Sequence, residues 1–168
     1  MSLEGLGRLY DVSVGAAPVD LSAAAVTGKR VSLRHASGVT ILVVKGAGTA
    51  GDDPTITLQE HTAASGGTSQ NLAAIDHYYL KNATALAGTE TWARKTQTAA
   101  ATIADPGGAG TSAESQQILA IEVRGEQLSA GYAYLSVNVG DVGANAQLGA
   151  VIYLLHDLTT QRAPAALT

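Results

Sequence analysis

Apolar and polar side chains along residues 38–60 set the pattern that the rest of the chain repeats. The run 39–44 is rich in Val and Ile, whose branched Cβ atoms suit a pleated sheet. A glycine-rich connection follows and ends in Asp-Asp-Pro, after which Ile56 and Leu58 alternate with polar neighbours. Alternation with a period of two predicts a half-buried strand. We therefore expect residues 38–60 to form the two strands of a hairpin.

Similar runs recur along the chain and are separated by turns rich in Gly and Pro. The predicted strands are residues 29–35, 39–44, 55–60, 73–81, 90–97, 116–124, 132–139 and 148–155. The strongest chain breaker is Asp-Pro-Gly-Gly-Ala-Gly at 105–110, and no stretch has the period of a helix of ordinary length. Seven or eight strands with such turns predict an all-β fold, an antiparallel β-sandwich of jelly-roll character.

One predicted strand differs from the others in being apolar on both faces. Residues 132–139 alternate almost perfectly, whereas residues 148–155 carry apolar side chains in both registers. A strand that is apolar on both faces is covered on both faces. The sequence thus predicts that a second sheet or a neighbouring subunit lies on each side of residues 148–155.

The two ends of the chain lack a sustained strand or helix period. Residues 1–27 are rich in Gly and Ala, and an extended arm that is ordered by something else explains them better than a helical turn at 21–26. We expect an N-terminal arm at 1–27, one β-sandwich domain at 28–158 and an extended C-terminal tail at 159–168.

Composition excludes several classes of partner. The chain has 168 residues, no cysteine and a formal net charge of -4, with 14% charged residues. Without an excess of Lys and Arg it cannot neutralise a phosphate backbone, so nucleic acid is not an expected partner. The N-terminus does not have the pattern of a secretory signal, and no run has the length of a membrane span, so we expect no membrane partner.

The residues that could carry catalysis or bind a metal do not form a recognisable motif. His61, His77 and Asp76 are where an enzyme would be sought first, but Asp76 and His77 are neighbours in a strand and point to opposite faces. No two histidines have the spacing of a zinc motif, and the chain has no G-x-S-x-G elbow. We therefore predict a protein that is not an enzyme and has no catalytic, cofactor or metal site.

The glycine-rich loop at 46–51 resembles a dinucleotide fingerprint only superficially. It joins two predicted strands, no helix follows it, and Asp52 and Asp53 would repel a phosphate. The two aspartates could belong to a calcium site, but an Asp-Asp-Pro turn with solvated carboxylates is the more common structure. The loop is long and acidic, and we predict that it meets a neighbouring protein surface through Gly48, Asp52 and Asp53.

Aromatic residues make up only 4% of the chain. One hypothesis is a sugar-stacking platform, which requires the rings to share one face; the other is that they anchor the core and interfaces, with Trp92 as a core contact. The residues concerned are Trp92, Tyr78, Tyr79, Tyr132 and Tyr134.

The order of these segments resembles a family. The segments are GKRVSLRHASGVTILVV (28–44), DDPTITLQEHTAASGGTSQNL (52–72), YYLK (78–81), ETW with a following TQ (90–97), SAESQQILAIEV (112–123), LSAGYAYLSVNV (128–139) and HDLTTQRAP (156–164). Their layout is similar to that of the decoration and minor capsid proteins of tailed bacteriophages, from about residue 28 onward.

The resemblance implies a structural virion protein that binds the outer surface of the capsid lattice and stabilises the head. It implies the major capsid protein as partner, a homo-oligomer with a trimer favoured, synthesis in the host cytoplasm and a final place on the capsid. Arms and loops would make the contacts, which adds Tyr10 and Arg162 to the expected interaction residues. The alternatives are a tail or head-tail component, and a carbohydrate-binding β-sandwich module that would bind a host-surface glycan.

Overall fold

A computed structural model describes residues 5–160, which form two packed antiparallel sheets. The strands are β1 (Tyr10–Asp20), β2 (Val26–Thr27), β3 (Val31–Ser32), β4 (Ala36–Lys45), β5 (Ile56–His61), β6 (Ser69–Asn71), β7 (Ile75–Ala83), β8 (Ala93–Ala100), β9 (Thr102–Ile103), β10 (Gln116–Arg124), β11 (Tyr134–Val139) and β12 (Leu148–Leu158). A 3-10 turn, Gly125–Gln127, follows β10. No helix within residues 5–160 is long and apolar enough to cross a membrane. The prediction of an all-β sandwich is confirmed.

The larger sheet, sheet A, has the strand order β1-β12-β4-β10-β7-β8. The smaller sheet, sheet B, has the order β2-β11-β5-β6, with β3 also paired to β11 and β9 also paired to β5. Strands that are early in the chain pair with strands that are late: β1 with β12, β2 and β3 with β11, β4 with β10, and β5 with β9. The β7–β8 hairpin extends sheet A beyond β10.

The core lies between the two sheets and is filled by the inward side chains of each strand. Alternation puts Val39, Ile41 and Val43 of β4 on the inner face, and all three are buried. Leu135 and Val137 do the same on β11, as their alternation predicts. Aliphatic side chains and two tyrosines fill this core, which is typical of packing between two β-sheets.

The hairpin expected at residues 38–60 is wrong. β4 lies in sheet A between β12 and β10, whereas β5 lies in sheet B between β11 and β6. The connection 46–55 therefore crosses from one sheet to the other, over a gap of about 10 Å that ten residues span easily. Alternation shows which face of a strand is buried, but it does not show which strand is its neighbour.

The N-terminal stretch that the sequence describes as an arm is extended, and β12 orders much of it. β1 pairs with β12 from Tyr10↔His156 to Asp20↔Leu148 and forms one edge of sheet A. The pairing is irregular between Val14 and Ala16 and again before Val19. Such bulges twist an edge strand and hinder a further strand from adding to it.

Candidate protein interface

The outer face of sheet A is apolar in its centre. On β4, the residues between the buried core positions are Leu42 and Val44, which point away from the core and stay partly exposed. Ile152 and Leu154 occupy the same side of β12, and Val12 and Val14 are about half exposed on β1. We call this surface the apolar face; its members are Val12, Val14, Leu42, Val44, Tyr79, Ile118, Ala120, Ala150, Ile152 and Leu154.

The strand registers align these side chains in rows that cross the sheet. The central row runs from Val14 through Ile152, Leu42 and Ala120 to Tyr79, each directly opposite the next. A second row joins Val12, Leu154, Thr40 and Glu122, and a third joins Ala150, Val44, Ile118 and Lys81. Residues opposite one another on adjacent strands are in contact, so the apolar face is continuous over five strands.

The outer face of sheet B is polar and bonded to itself. His61 lies between two hydroxyls, with Nδ1 2.7 Å from Ser69 Oγ and Nε2 2.8 Å from Ser136 Oγ. In the next row, Asn138 donates to Gln59 Oε1 at 2.8 Å, and Gln59 donates to Asn71 Oδ1 at 3.1 Å. These polar side chains form hydrogen bonds with one another and can also bind water. The outer face of sheet A is therefore apolar, whereas that of sheet B is polar.

His61 is the last residue of β5 and is buried, which the sequence did not predict. Burial lowers its pKa, and the nearby Arg30 guanidinium lowers it further. A neutral imidazole can donate to one hydroxyl and accept from the other, as the two serine contacts require. His61 thus stabilises the polar face of sheet B.

One end of the sandwich is acidic. Five connections meet there, at 21–25, 46–55, 84–92, 104–115 and 140–147, and together they contain six Asp or Glu and no Lys or Arg. We call this the acidic end. Lys45, at the end of β4, borders it and is only 4% exposed. The backbone N–H of Ala87 lowers the pKa of Glu90, and Lys81 lies close enough to lower it further. Burial lowers the pKa of Lys45 to about 8, although Asp53 and Glu114 act in the opposite direction.

Three of the expected interaction residues lie at the acidic end, but they are tied into the fold. Asp53 Oδ1 accepts a hydrogen bond from Ala113 N at 2.8 Å, and Asp52 Oδ2 accepts one from Asn145 Nδ2 at 3.1 Å. Gly48 packs against Gln147, where an added Cβ would lie 2.5 Å from Nε2. Removing residues from this loop would therefore disturb the crossover between the two sheets as well as the surface that the loop offers.

The other two expected interaction residues are not near this loop. Tyr10 begins β1 at the opposite end of the sandwich, 40% exposed and opposite His156. Arg162 lies outside the described residues.

The aromatic residues do not assemble into one platform. Trp92 is 47% exposed, so the prediction that it contacts the core is wrong. It precedes β8 on the outer side of sheet A, with the Lys81 ammonium 5.1 Å from its ring centre. Tyr79 lies beside Trp92 on this side, around a shallow cavity of about 310 Å³. Tyr78 points into the core and donates to Pro106 O, and Tyr134 lies on sheet B beneath Arg34.

The histidines lie apart from one another. His77 and His156 each contact the adjacent aspartate in the chain, at 2.6 Å and 3.1 Å, on strands at different places in sheet A. Within residues 5–160, no three His, Asp or Glu side chains come together in a way that could hold a metal ion.

No protein-family model, no curated protein and no solved structure matches the chain.

Sequence reasoning did not identify the apolar face as a surface, although a signal for it exists. The runs 39–44 and 148–155 carry apolar side chains in both registers, and Ile118 and Ala120 are apolar on the second side of 116–123. These runs become β4, β12 and β10, with β4 between the other two. Only this adjacency joins their outward apolar side chains into one exposed surface.

Proposed function

We propose that the chain is a structural virion protein that binds the outer surface of a phage capsid lattice and stabilises the head. The observation that carries this proposal is the acidic end, and the apolar face adds a surface for assembly with other protein. An apolar patch of several hundred Å² with polar residues around it is often a site of contact with other molecules. Such a face indicates that the chain functions while it is bound to other protein.

The pairing of the strands supports a jelly roll. Early strands pair with late ones, β1 with β12, then β2 and β3 with β11, β4 with β10, and β5 with β9. This nested pairing is that of one long hairpin rolled into two sheets, with β6 and the β7–β8 hairpin as additions. Jelly rolls are frequent in viral capsid proteins, although they also host unrelated functions.

We propose that the acidic end is the surface that contacts the capsid lattice. Six carboxylates without a compensating Lys or Arg in the same loops favour a basic protein surface as partner. The loops also project beyond the sheets, so they can reach a neighbour while the polar face of sheet B remains in water. The resemblance to decoration proteins is what points to the capsid as that neighbour.

Co-sedimentation tests the proposal. Heads assembled from the major capsid protein of the same virus, without this chain, are mixed with the purified chain and pelleted. We expect saturable binding that weakens with salt. Asp52→Asn, Glu114→Gln and Asp141→Asn together should weaken it about tenfold, since each exposed charge pair contributes up to about 1 kcal/mol.

A matched triple variant at the opposite end of the sandwich is the control. Asp76→Asn, Glu126→Gln and Asp157→Asn remove the same charge and should leave binding unchanged. Absence of co-sedimentation by the unmodified chain would overturn the proposal. Equal losses in the two triple variants would contradict the assignment of the acidic end. Images that place the chain on the tail would favour a tail or head-tail component.

A further inference from the structure

The outer face of the five strands β1, β12, β4, β10 and β7 has the footprint of a stable interface, and the apolar face forms its centre. Five strands spaced about 4.8 Å apart span roughly 24 Å, and the length of β12 gives roughly 35 Å along the strands, or about 800 Å² per copy, which is what one partner contributes to a standard interface. The three rows of the apolar face occupy roughly 500 Å² of this footprint, and the row of Arg124 and His156 lies beyond them. The centre of the apolar face contains no charge, a feature of homodimer interfaces.

We propose that a second copy of this chain covers the apolar face, related to the first by a two-fold axis that runs across the strands. Each copy presents one continuous apolar patch on a sheet, and a patch that meets its own equivalent generates a closed pair. A trimer, which the family resemblance implies, requires two different complementary patches on each copy. The polar outer face of sheet B, bonded to itself, does not offer a second one.

Two charges on the edge of the face fix the direction of the axis. Relative to the central pair Ala120↔Tyr79, Glu122 lies one row toward one end of the strands and Lys81 one row toward the other end. A two-fold axis along the central row exchanges these rows. Glu122 of one copy then faces the row of the other copy that contains Lys81. Lys81 lies on the neighbouring strand of that row, about 4.8 Å to the side, and its side chain can bridge this distance.

The other orientation of the axis does not bring these two charges together. An axis parallel to the strands, centred on β4, exchanges β10 with β12 and β7 with β1, so Glu122 lies over Leu154 of the other copy and Lys81 lies over β1. The axis across the strands places Glu122 over Ile118 of the other copy, with Lys81 on the next strand. Lys81 also contacts the Trp92 ring of its own copy, which holds the ammonium at this edge. The contact between opposite charges therefore selects the axis across the strands, with two equivalent Glu122–Lys81 contacts in each pair.

The mass in solution tests the pair. Sedimentation equilibrium of the unmodified chain should give the mass of two chains, each of 17.0 kDa. Ile152→Glu, in the centre of the face, should give one chain, while Asn71→Glu, which adds the same charge to the outer face of sheet B, should leave the pair intact. Circular dichroism and a cooperative melting transition show whether each variant is folded.

A charge exchange tests the orientation even if Ile152→Glu fails to fold. Glu122→Lys and Lys81→Glu should each raise the dissociation constant of the pair about tenfold or more, and the double variant should bring it back close to the original value. Within one copy the two side chains are two rows apart, so a role confined to the monomer would not give this recovery.

Several results would overturn the proposal. They are a monomer at every concentration, a trimer, a pair that survives Ile152→Glu in folded protein, and a double charge variant that is no better than the single ones. An unmodified monomer whose capsid binding is abolished by Ile152→Glu would assign the apolar face to the capsid instead. The measured mass does not depend on capsid binding, so the two proposals can fail separately.

Discussion

Lys45 shows how strongly one residue can depend on connections that are distant in the chain. It is 4% exposed, and its ammonium donates to Ser115 O at 2.6 Å, Gly46 O at 3.1 Å and Ala113 O at 3.5 Å. The lysine therefore holds the loop 104–115 against the start of the crossover 46–55. Burial lowers its pKa to about 8 from an ordinary value of 10.5.

This lowered pKa predicts a dependence of stability on pH. Below about pH 8, Lys45 is protonated in the folded and the unfolded chain, and the folded chain bears the full cost of the buried charge. Between pH 8 and 10.5 the unfolded chain binds more protons, so the free energy of unfolding rises, by roughly 1–2 kcal/mol after allowance for solvent screening. Urea unfolding of the unmodified chain and of Lys45→Met across this range checks it. Subtracting the variant removes the contribution of other groups, and a difference that stays constant with pH would contradict the prediction.

At the scale of the elements, Tyr153 joins the two sheets. It points inward from β12 and is fully buried, and its hydroxyl donates to Lys29 O at 3.0 Å and accepts from Val137 N at 3.1 Å. β2 and β3 pair with β11 on either side of this point and leave a gap between them. The tyrosine hydroxyl thus replaces a missing backbone partner of β11.

Removing that hydroxyl should destabilise the sandwich. In Tyr153→Phe, the N–H of Val137 and the carbonyl of Lys29 lose their partner in a buried place, which costs about 1–3 kcal/mol. Tyr134→Phe, on the outer face of sheet B, is the matched control and should change the free energy of unfolding by less than about 0.5 kcal/mol. Both values come from urea unfolding, and equal losses in the two variants would refute the bridging role of Tyr153.

At the scale of the whole molecule, alternation predicts much of the sandwich but not its pairing. The buried faces of β10 and β11 follow from the period of two, because a strand with one side toward the core must alternate. The crossover 46–55 and the exposed Trp92 do not follow, since a loop of this length fits a hairpin as well as a crossing. The apolar face is intermediate between these cases. The sequence predicts that residues 148–155 are covered on both faces, whereas the strand order shows that the outer side of β12 stays open together with those of its neighbours.

If that surface is covered by a second copy, stability becomes a property of the pair. The melting temperature of the unmodified chain should then rise with protein concentration, because the pair unfolds into two separate chains. For two chains of this size, a tenfold increase in concentration raises it by about 2 °C. Ile152→Glu, which we expect to be monomeric, should melt at a temperature that does not change with concentration, whereas Asn71→Glu should behave like the unmodified chain. Calorimetry at several concentrations checks this, and a concentration-independent transition in the unmodified chain would count against a pair that is tight at the temperature of unfolding.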